Sequence, residues 1–318
     1  MRYNTHRQPL KGEKHMNIKI YNEKTAHGNS NGSRSITLAS AIVAAAVIGT
    51  AYGGVPLNNL QGAGGIAFNP LAYTAGRPWD GGETNALNGI VSKPQVGAWY
   101  VNLTDADINW FALGTAVTLF DRLEVSGGYG GINAHKYGDN SINTYNVGAK
   151  LRLLDENAFD TSWVPAIAVG GVYKYTDSKT VDALGLDHDG FDAYVVATKL
   201  ITQTPIPVLL SVGGLLSDEV VNGVVGHNDY GAAVFANIDL IPVEQVAIGF
   251  EYKQGVHVGD DITNHDYFDG HVAWFVTDSL TLVGAYAYTG DKDRFYRDGK
   301  TDRLGVGGGF VISLQYQF

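Results

Sequence analysis

The sequence predicts an all-β protein, a transmembrane antiparallel up-and-down β-barrel of about 12 strands with an N-terminal signal peptide. Three observations carry this expectation: apolar residues recur at every second position over long runs, the connections alternate between short and long, and the composition is poor in charge without offering a spanning helix. The chain has 318 residues, 41 of them Gly and none Cys, with 17% charged residues. Gly usually makes up ~7% of a chain and charged residues ~25%, so this balance fits neither an ordinary soluble enzyme nor a disordered chain. Mean hydropathy is −0.06. Beyond residue 60 nothing approaches the ~20 consecutive apolar residues of a spanning helix, so any membrane span there must be built from strands. The absence of Cys removes disulfide frameworks, thiolate metal sites and Cys nucleophiles.

Residues 1–53 read as a leader and signal peptide. Met1 to Arg34 is polar and basic, Ile36 to Ile48 is apolar and small, and Gly49-Thr50-Ala51-Tyr52-Gly53 offers small residues for cleavage after Ala51 or Gly53. The leader is long, and Met16 is an alternative start. Seven of the 22 Lys/Arg and two of the 32 Asp/Glu lie in residues 1–53, leaving 15 against 30 and a formal charge of −15. A chain this acidic is a poor partner for nucleic acid, whose affinity comes from Lys/Arg neutralising phosphates.

Residues 54–92 are rich in Gly and Pro, with Leu60-Gln61-Gly62-Ala63-Gly64-Gly65 and Gly76-Arg77-Pro78-Trp79. Such a segment does not form a strand pair. It is either a periplasmic lead-in or a plug folded into the lumen.

Residues 93–318 form the barrel. Runs of about the nine to eleven residues a tilted strand needs begin near Pro94, Asn109, Leu123, Asn143, Trp163, Phe191, Val208, Tyr230, Val246, Tyr267, Leu280 and Arg303. In the last run Leu304, Val306, Gly308, Phe310, Ile312, Leu314, Tyr316 and Phe318 share one face, opposite Ser313, Gln315 and Gln317. Tyr145, Val147, Leu151 and Leu153 likewise oppose Lys150 and Arg152, and Leu282 and Tyr286 oppose Thr281. In a membrane barrel the apolar face meets lipid and the other faces the lumen. Arg at Leu282, Ile312 or Leu314 is therefore expected to cost more than Arg at Thr281 or Ser313. Tyr and Trp near run ends, among them Trp99, Tyr100, Trp110, Trp163, Tyr173 and Trp274, fit interfacial girdles.

Connections at 120–123, 202–207, 241–245 and 276–279 are short. Those at 133–142, 176–190, 217–229, 257–266 and 290–302 are long and polar, the pattern of periplasmic turns and external loops. Leu154 to Ser162 is long for a turn, and Thr104 to Ile108 is short for a loop. A secreted β-sandwich of short strands is the alternative fold, but it has no reason to alternate loop lengths.

The Gly-rich opening, Gln95 to Leu103 (QVGAWYVNL), the Asp105-Ala106-Asp107 turn and Leu119-Phe120-Asp121-Arg122-Leu123-Glu124-Val125 together resemble an uncharacterised proteobacterial family of outer-membrane β-barrels, known only as a domain of unknown function. The resemblance implies the barrel architecture and transfers no catalytic or binding residue.

No catalytic set, metal site or cofactor motif is marked. Of the nine His residues, His271 alone points into the expected lumen, with no nucleophile beside it that identifies a hydrolase. Asp187-His188-Asp189-Gly190-Phe191-Asp192 and Asp291-Lys292-Asp293 faintly resemble calcium loops, yet no Glu closes a twelve-residue loop. The candidate lumen-lining residues are Glu124, Lys150, Arg152, Lys174, Lys199, Asp239, Glu251, Lys253, Asp269 and His271. Their mixed signs either pair across the interior or line a narrow water path. The expected function is a passive pore or small-solute channel in the outer membrane of a Gram-negative bacterium. A plugged structural or surface-binding barrel is the alternative, and a lipid-acting enzyme comes third. Expected partners are outer-membrane lipid and lipopolysaccharide, small solutes, and the barrel assembly machinery through the strand ending at Phe318.

Overall fold

The computed structural model describes residues 57–135, 139–184, 187–221, 223–225, 229–258, 262–290 and 305–318. The signal peptide expected over residues 1–53 and the acidic stretch from Asp291 to Asp298 lie outside the described residues.

Alternation drives the architecture. Twelve strands follow in chain order: β1 Gln95–Leu103, β2 Ile108–Leu119, β3 Leu123–Ala134, β4 Asp139–Leu154, β5 Ala166–Asp177, β6 Asp189–Ile201, β7 Val208–Ser217, β8 Gly231–Val243, β9 Val246–Lys253, β10 Tyr267–Phe275, β11 Leu280–Tyr288 and β12 Gly308–Gln317. Each pairs antiparallel with its neighbours in sequence, and β12 pairs with β1 through contacts such as Leu314 opposite Ala98, closing the barrel without an edge. An even strand count brings both ends of the barrel to one rim. That rim also carries the short connections and is called the turn end here; the opposite rim is the loop end.

The β2–β3 turn shows how tightly the turn end is drawn. Phe120 and Asp121 both take left-handed φ, 52° and 55°, and Arg122 N–H closes on Leu119 O at 3.1 Å. Two successive left-handed residues match the twist of the flanking strands. The long turn after β4 bends through left-handed Asn157, Phe159 and Asp160.

The outer surface is apolar from rim to rim. Phe310, Ile312, Leu314 and Tyr316 of β12 and Tyr145, Val147, Leu151 and Leu153 of β4 are all exposed, while Ser313, Gln315 and Lys150 are buried between them. Tyr129 and Tyr145 meet on neighbouring strands at 5.5 Å between ring centroids, as do Tyr100 and Phe310 at 6.3 Å. A belt of large apolar side chains with no protein against it is the surface that hydrocarbon covers.

The structure corrects three expectations. Trp99 and Trp110 do not belong to the outer girdle: they sit at inward positions of β1 and β2, and Trp99 is only 1% exposed. The last strand begins at Gly308, because Gly307 takes φ 81° and Asp105 Oδ2 accepts the Gly308 N–H at 3.0 Å. Val306 and Gly308, expected on the lipid face, are therefore buried. Thirdly, Thr281 and Ser313 do not face open water: Ser313 is buried and donates to Ala98 O at 2.8 Å, so an Arg there has no space. The lipid face gives the cleaner test. Leu314→Arg or Ile312→Arg is expected to cost roughly 2–4 kcal/mol where the position lies near the bilayer midplane, with Leu314→Phe close to neutral, read as denaturant midpoints of folding into lipid vesicles.

Candidate functional site

The lumen is occupied from both ends. From the turn end, residues 57–76 run into the barrel and return to the rim at Arg77. Leu57, Leu60, Ala63, Ile66, Ala67, Phe68, Leu71, Ala72 and Ala75 are all buried. The segment holds little regular structure of its own beyond a two-residue pairing of Leu57–Asn58 with Gly64–Gly65. Its backbone therefore needs partners elsewhere, since a buried unpaired N–H or C=O costs as much as a lost hydrogen bond.

The wall supplies them through side chains. Glu124 on β3 accepts Gly64 N–H at 2.8 Å and Ala75 N–H at 2.7 Å, clasping both legs of the segment. Lys150, its cross-strand partner on β4, pairs with Glu124 at 2.9 Å and donates to Gly64 O at 2.8 Å. Glu251 on β9 takes three consecutive donors, Ala67 and Phe68 N–H on Oε2 at 2.9 and 3.1 Å and Asn69 N–H on Oε1 at 3.0 Å. Charge-assisted bonds of this kind are about twice as strong as neutral ones. Thr198 accepts Ala72 N–H at 2.8 Å, and Gln315 both accepts Asn58 N–H at 3.0 Å and donates to Asn58 O. Trp99 Nε1 donates to the same carbonyl at 2.7 Å.

Apolar contacts complete the fit. Leu60 and Phe68 join Trp99, Val101, Trp110, Tyr267 and Val311 in one buried cluster, and Ala72 joins Tyr194, Val196 and Phe235 in another. At the inner bend the chain touches the wall backbone to backbone. A Cβ on Gly62 would stand 2.3 Å from Gly127 O, and one on Gly128 2.5 Å from Gln61 O. Only glycine permits that approach. A residual void between Asn59, Gln61 and Asn69 of the segment and Asp192, Tyr194 and Lys253 of the wall measures about 20 Å³, room for about one water.

Two rim contacts hold the segment where it leaves. Arg77 donates from Nε to Phe318 O at 2.8 Å and from Nη2 to Ser279 Oγ at 2.9 Å. The long turn after β4 has a use here: Glu156 accepts Tyr73 OH at 2.8 Å and Leu200 N–H at 2.9 Å, and pairs with Lys199 at 2.9 Å.

At the loop end the connection after β7 folds inward as a small hairpin, Glu219–Val221 with Val224–Val225. Glu219 is fully buried between two ammoniums, Lys174 at 2.6 Å and Lys253. Lys174 also meets Asp192 at 2.5 Å. Asp192 is thus a buried counter-ion of the wall and not part of an external calcium loop. Gly223 N–H and Asn264 Nδ2 bind Glu219 as well, through its carboxylate and its main-chain carbonyl.

The ten residues expected to line the lumen fall in four groups, and nine point inward. Lys199 does not, because β6 turns Asp192, Tyr194, Val196 and Thr198 inward and so leaves Lys199 on the outer face at the rim, where it pairs with Glu156. Glu124 and Lys150 hold the segment. Lys174 and Lys253 bind the hairpin. Asp239, Glu251, Asp269 and His271 lie together on β8 to β10. Arg152 and Lys199 sit at the turn end, where Arg152 pairs with Asp155 at 2.9 Å. The expected lumen set misses Asp192, although it lies in the run beginning near Phe191, and Glu219, which lies in a loop by sequence. A signal was present for Asp192: it shares the inward parity of β6 with Tyr194, Val196 and Thr198.

Fold and site together define a twelve-stranded transmembrane barrel whose lumen is filled by a re-entrant N-terminal segment and an inward hairpin. The chain belongs to the family described as protein of unknown function (DUF3034), whose model matches residues 53–297. No curated protein matches it. Among solved structures it is similar to the KdgM porin (11% identity, 70% of this chain and 99% of the porin, TM-score 0.46). It is also similar to the NanC porin (10%, 71% and 100%, 0.48) and to the COG4313 outer membrane channel from Pseudomonas putida F1 (16%, 75% and 98%, 0.41).

The hairpin has its own pH behaviour. Burial pushes Asp218 up to about 6, with Lys174 opposing. Burial also disfavours charge on Glu219, but Lys174 and Lys253 outweigh it and hold that carboxyl down at about 2. A raised acid favours the inward state at low pH and withdraws that contribution as pH rises through about 6; a depressed one contributes above its ordinary 4.5 and is lost only toward 2. Exchange protection of the Gly223 amide is therefore expected to be higher at pH 5 than at pH 7.5, and Asp218→Asn is expected to abolish the difference. Glu219→Gln, which leaves two buried ammoniums short of a partner, is expected to lose protection at both pH values.

Proposed function

We propose that this protein is a passive small-solute channel of the Gram-negative, proteobacterial outer membrane that rests closed, with residues 57–76 as its plug. The observation that carries the reading is the set of wall side chains satisfying the backbone of a segment tethered at one rim only. A barrel that needed merely a solid interior could fill it with its own side chains. Here the inward positions opposite the segment include Gly114, Gly128, Ala112, Ala116 and Ser126, which leave a cavity for a separate piece of chain. The turn end faces the periplasm in this reading, so the plug enters from inside the cell envelope and the long polar loops meet lipopolysaccharide. Export by the signal peptide and recognition of the strand ending at Phe318 by the barrel assembly machinery belong to the same proposal, as does a non-catalytic role.

A second reading has one observation in its favour. The buried Lys174–Glu219–Lys253 group closes the loop end independently of the plug, as a permanently filled structural or surface-binding barrel would require.

Planar-bilayer recording separates the two. Wild-type protein is expected to be silent or to open rarely, and deletion of residues 57–76 is expected to give steady conductance while the barrel still shifts on unheated gels. In that background Lys150→Glu with Arg152→Glu is expected to move selectivity toward cations. A folded deletion variant that never conducts establishes the structural reading, and recovery of the protein in the soluble periplasmic fraction overturns both.

A further inference from the structure

We propose that His271, Asp269 and Glu251, with Asp239 behind the imidazole, form a binding site for one divalent transition-metal ion of the zinc type in the barrel wall. The site stands on residues whose placement does not depend on the channel reading. Strand register builds it. Asn237, Glu251 and Asp269 lie opposite one another on β8, β9 and β10, and Asp239, Gly249 and His271 form the next inward row. The imidazole spans both rows, with Nδ1 2.7 Å from Asp269 Oδ1 and Nε2 2.8 Å from Asp239 Oδ1. Gly249 makes this possible: a Cβ there would stand 2.3 Å from both Asp239 Oδ1 and His271 Nε2. Ligand atoms of Glu251, Asp269 and His271 all lie within 4.8 Å of one another.

Charge is the first argument for an ion. Three buried carboxylates surround one imidazole, while the nearby ammoniums Lys174 and Lys253 meet Asp192 and Glu219 and Lys150 meets Glu124. With all three carboxylates ionised, even a protonated imidazole leaves the group two charges short, and buried charge is retained where it is paired or coordinates a metal. The second argument is independent of charge. Asp269 Oδ2 and Asn237 Oδ1 are buried acceptors with no hydrogen-bond donor, and both residues are at least nine-tenths buried. A donorless carboxylate oxygen in a cluster of ligand atoms is what a cation requires.

The parts divide as they do around bound metals. With an ion bound, Asp239 accepts a hydrogen bond from Nε2–H, which fixes the tautomer and leaves Nδ1 as the ligand atom. Asp269 and Glu251 add oxygen ligands. Glu251 Oε1 accepts one donor, Asn69 N–H, and keeps a lone pair for the ion. The His271–Asp269 contact, 2.7 Å in this structure, needs to open by about 0.7 Å to reach the ~3.4 Å between tetrahedral ligands each ~2.1 Å from an ion. One imidazole with carboxylates suits zinc, nickel or manganese better than calcium or copper(I). The sequence marks no such site because its members are scattered over 32 residues and three strands. An ion here would grip the carboxylate that holds Ala67, Phe68 and Asn69, tying the wall site to the segment inside the barrel.

The test is metal uptake by the full chain, purified from membranes, refolded in detergent with Zn²⁺ or Co²⁺ present, and washed free of excess. One ion per chain is expected, and X-ray absorption of the zinc form is expected to show a single imidazole with oxygen ligands at roughly 2.0–2.1 Å. Asp269→Asn and His271→Gln are expected to abolish stoichiometric retention, and Asp239→Asn to weaken it roughly 10- to 100-fold. Each variant is checked for folding by its shift on unheated gels; if one fails to fold, the absorption spectrum of the wild type still decides. Absence of a retained ion in folded wild-type protein, which would mean that the carboxylates share protons instead, overturns the proposal. A coordination shell without imidazole, or retention unchanged in folded His271→Gln, overturns it as well.

Discussion

A closed barrel has already committed the main-chain hydrogen bonds of its strands to one another, so a piece of chain placed inside it finds no edge to pair with. Its N–H and C=O groups must be met by side chains of the wall. Most of what is specific in this interior follows from that requirement. The inward polar residues are acceptors placed where the segment turns a donor outward, as Glu124, Glu251 and Thr198 do for Gly64, Ala67 to Asn69, Ala75 and Ala72. A shift of the segment by one residue would leave those donors unmatched at about 1–3 kcal/mol each. The segment is thus held in one register although it has almost no secondary structure.

The same requirement accounts for the distribution of small and large residues on the inner face. Where the segment's backbone lies against the wall, as at Gly62 over Gly114 and Gly128, the wall is glycine. Where its side chains project, as at Leu60 and Phe68, the wall offers Trp99, Trp110 and Tyr267, and Phe68 meets Tyr267 at 6.0 Å between ring centroids. The high glycine content is therefore partly the imprint of one part of the chain on another.

This explains what could be read from the sequence. Strand positions were legible because lipid imposes a strict period of two on one face, and ten of the twelve runs begin within three residues of the start of a strand. The inner face carries no such period. Trp99 and Trp110 look like girdle residues by type, and only their parity on β1 and β2 places them inside. His271 and Asp269 are two residues apart on one strand, but Asp239 lies 32 residues away and meets them through barrel register. The inward course of Glu219 was invisible because nothing local separates a loop that folds in from one that stands in water. Its partners Lys174 and Lys253 lie 45 and 34 residues distant.

The charges of the wall differ in how far they depend on the segment. Glu124 meets two segment donors and also Lys150, so it stays paired if the segment leaves. Glu251 has three segment donors and shares its sector with Asp239 and Asp269, against the single imidazole of His271. Withdrawing the segment therefore exposes two unlike surfaces: a nearly neutral one along β3 and β4 and an acidic one along β8 to β10. An emptied lumen is polarised across its width, and the acidic side lies opposite the position that Ala67 to Asn69 would have left. The donors of the segment and any cation bound at His271 act on the same carboxylate. Occupancy of the wall and occupancy of the lumen are thus two aspects of one charge balance, which the strand register sets and the N-terminal segment completes.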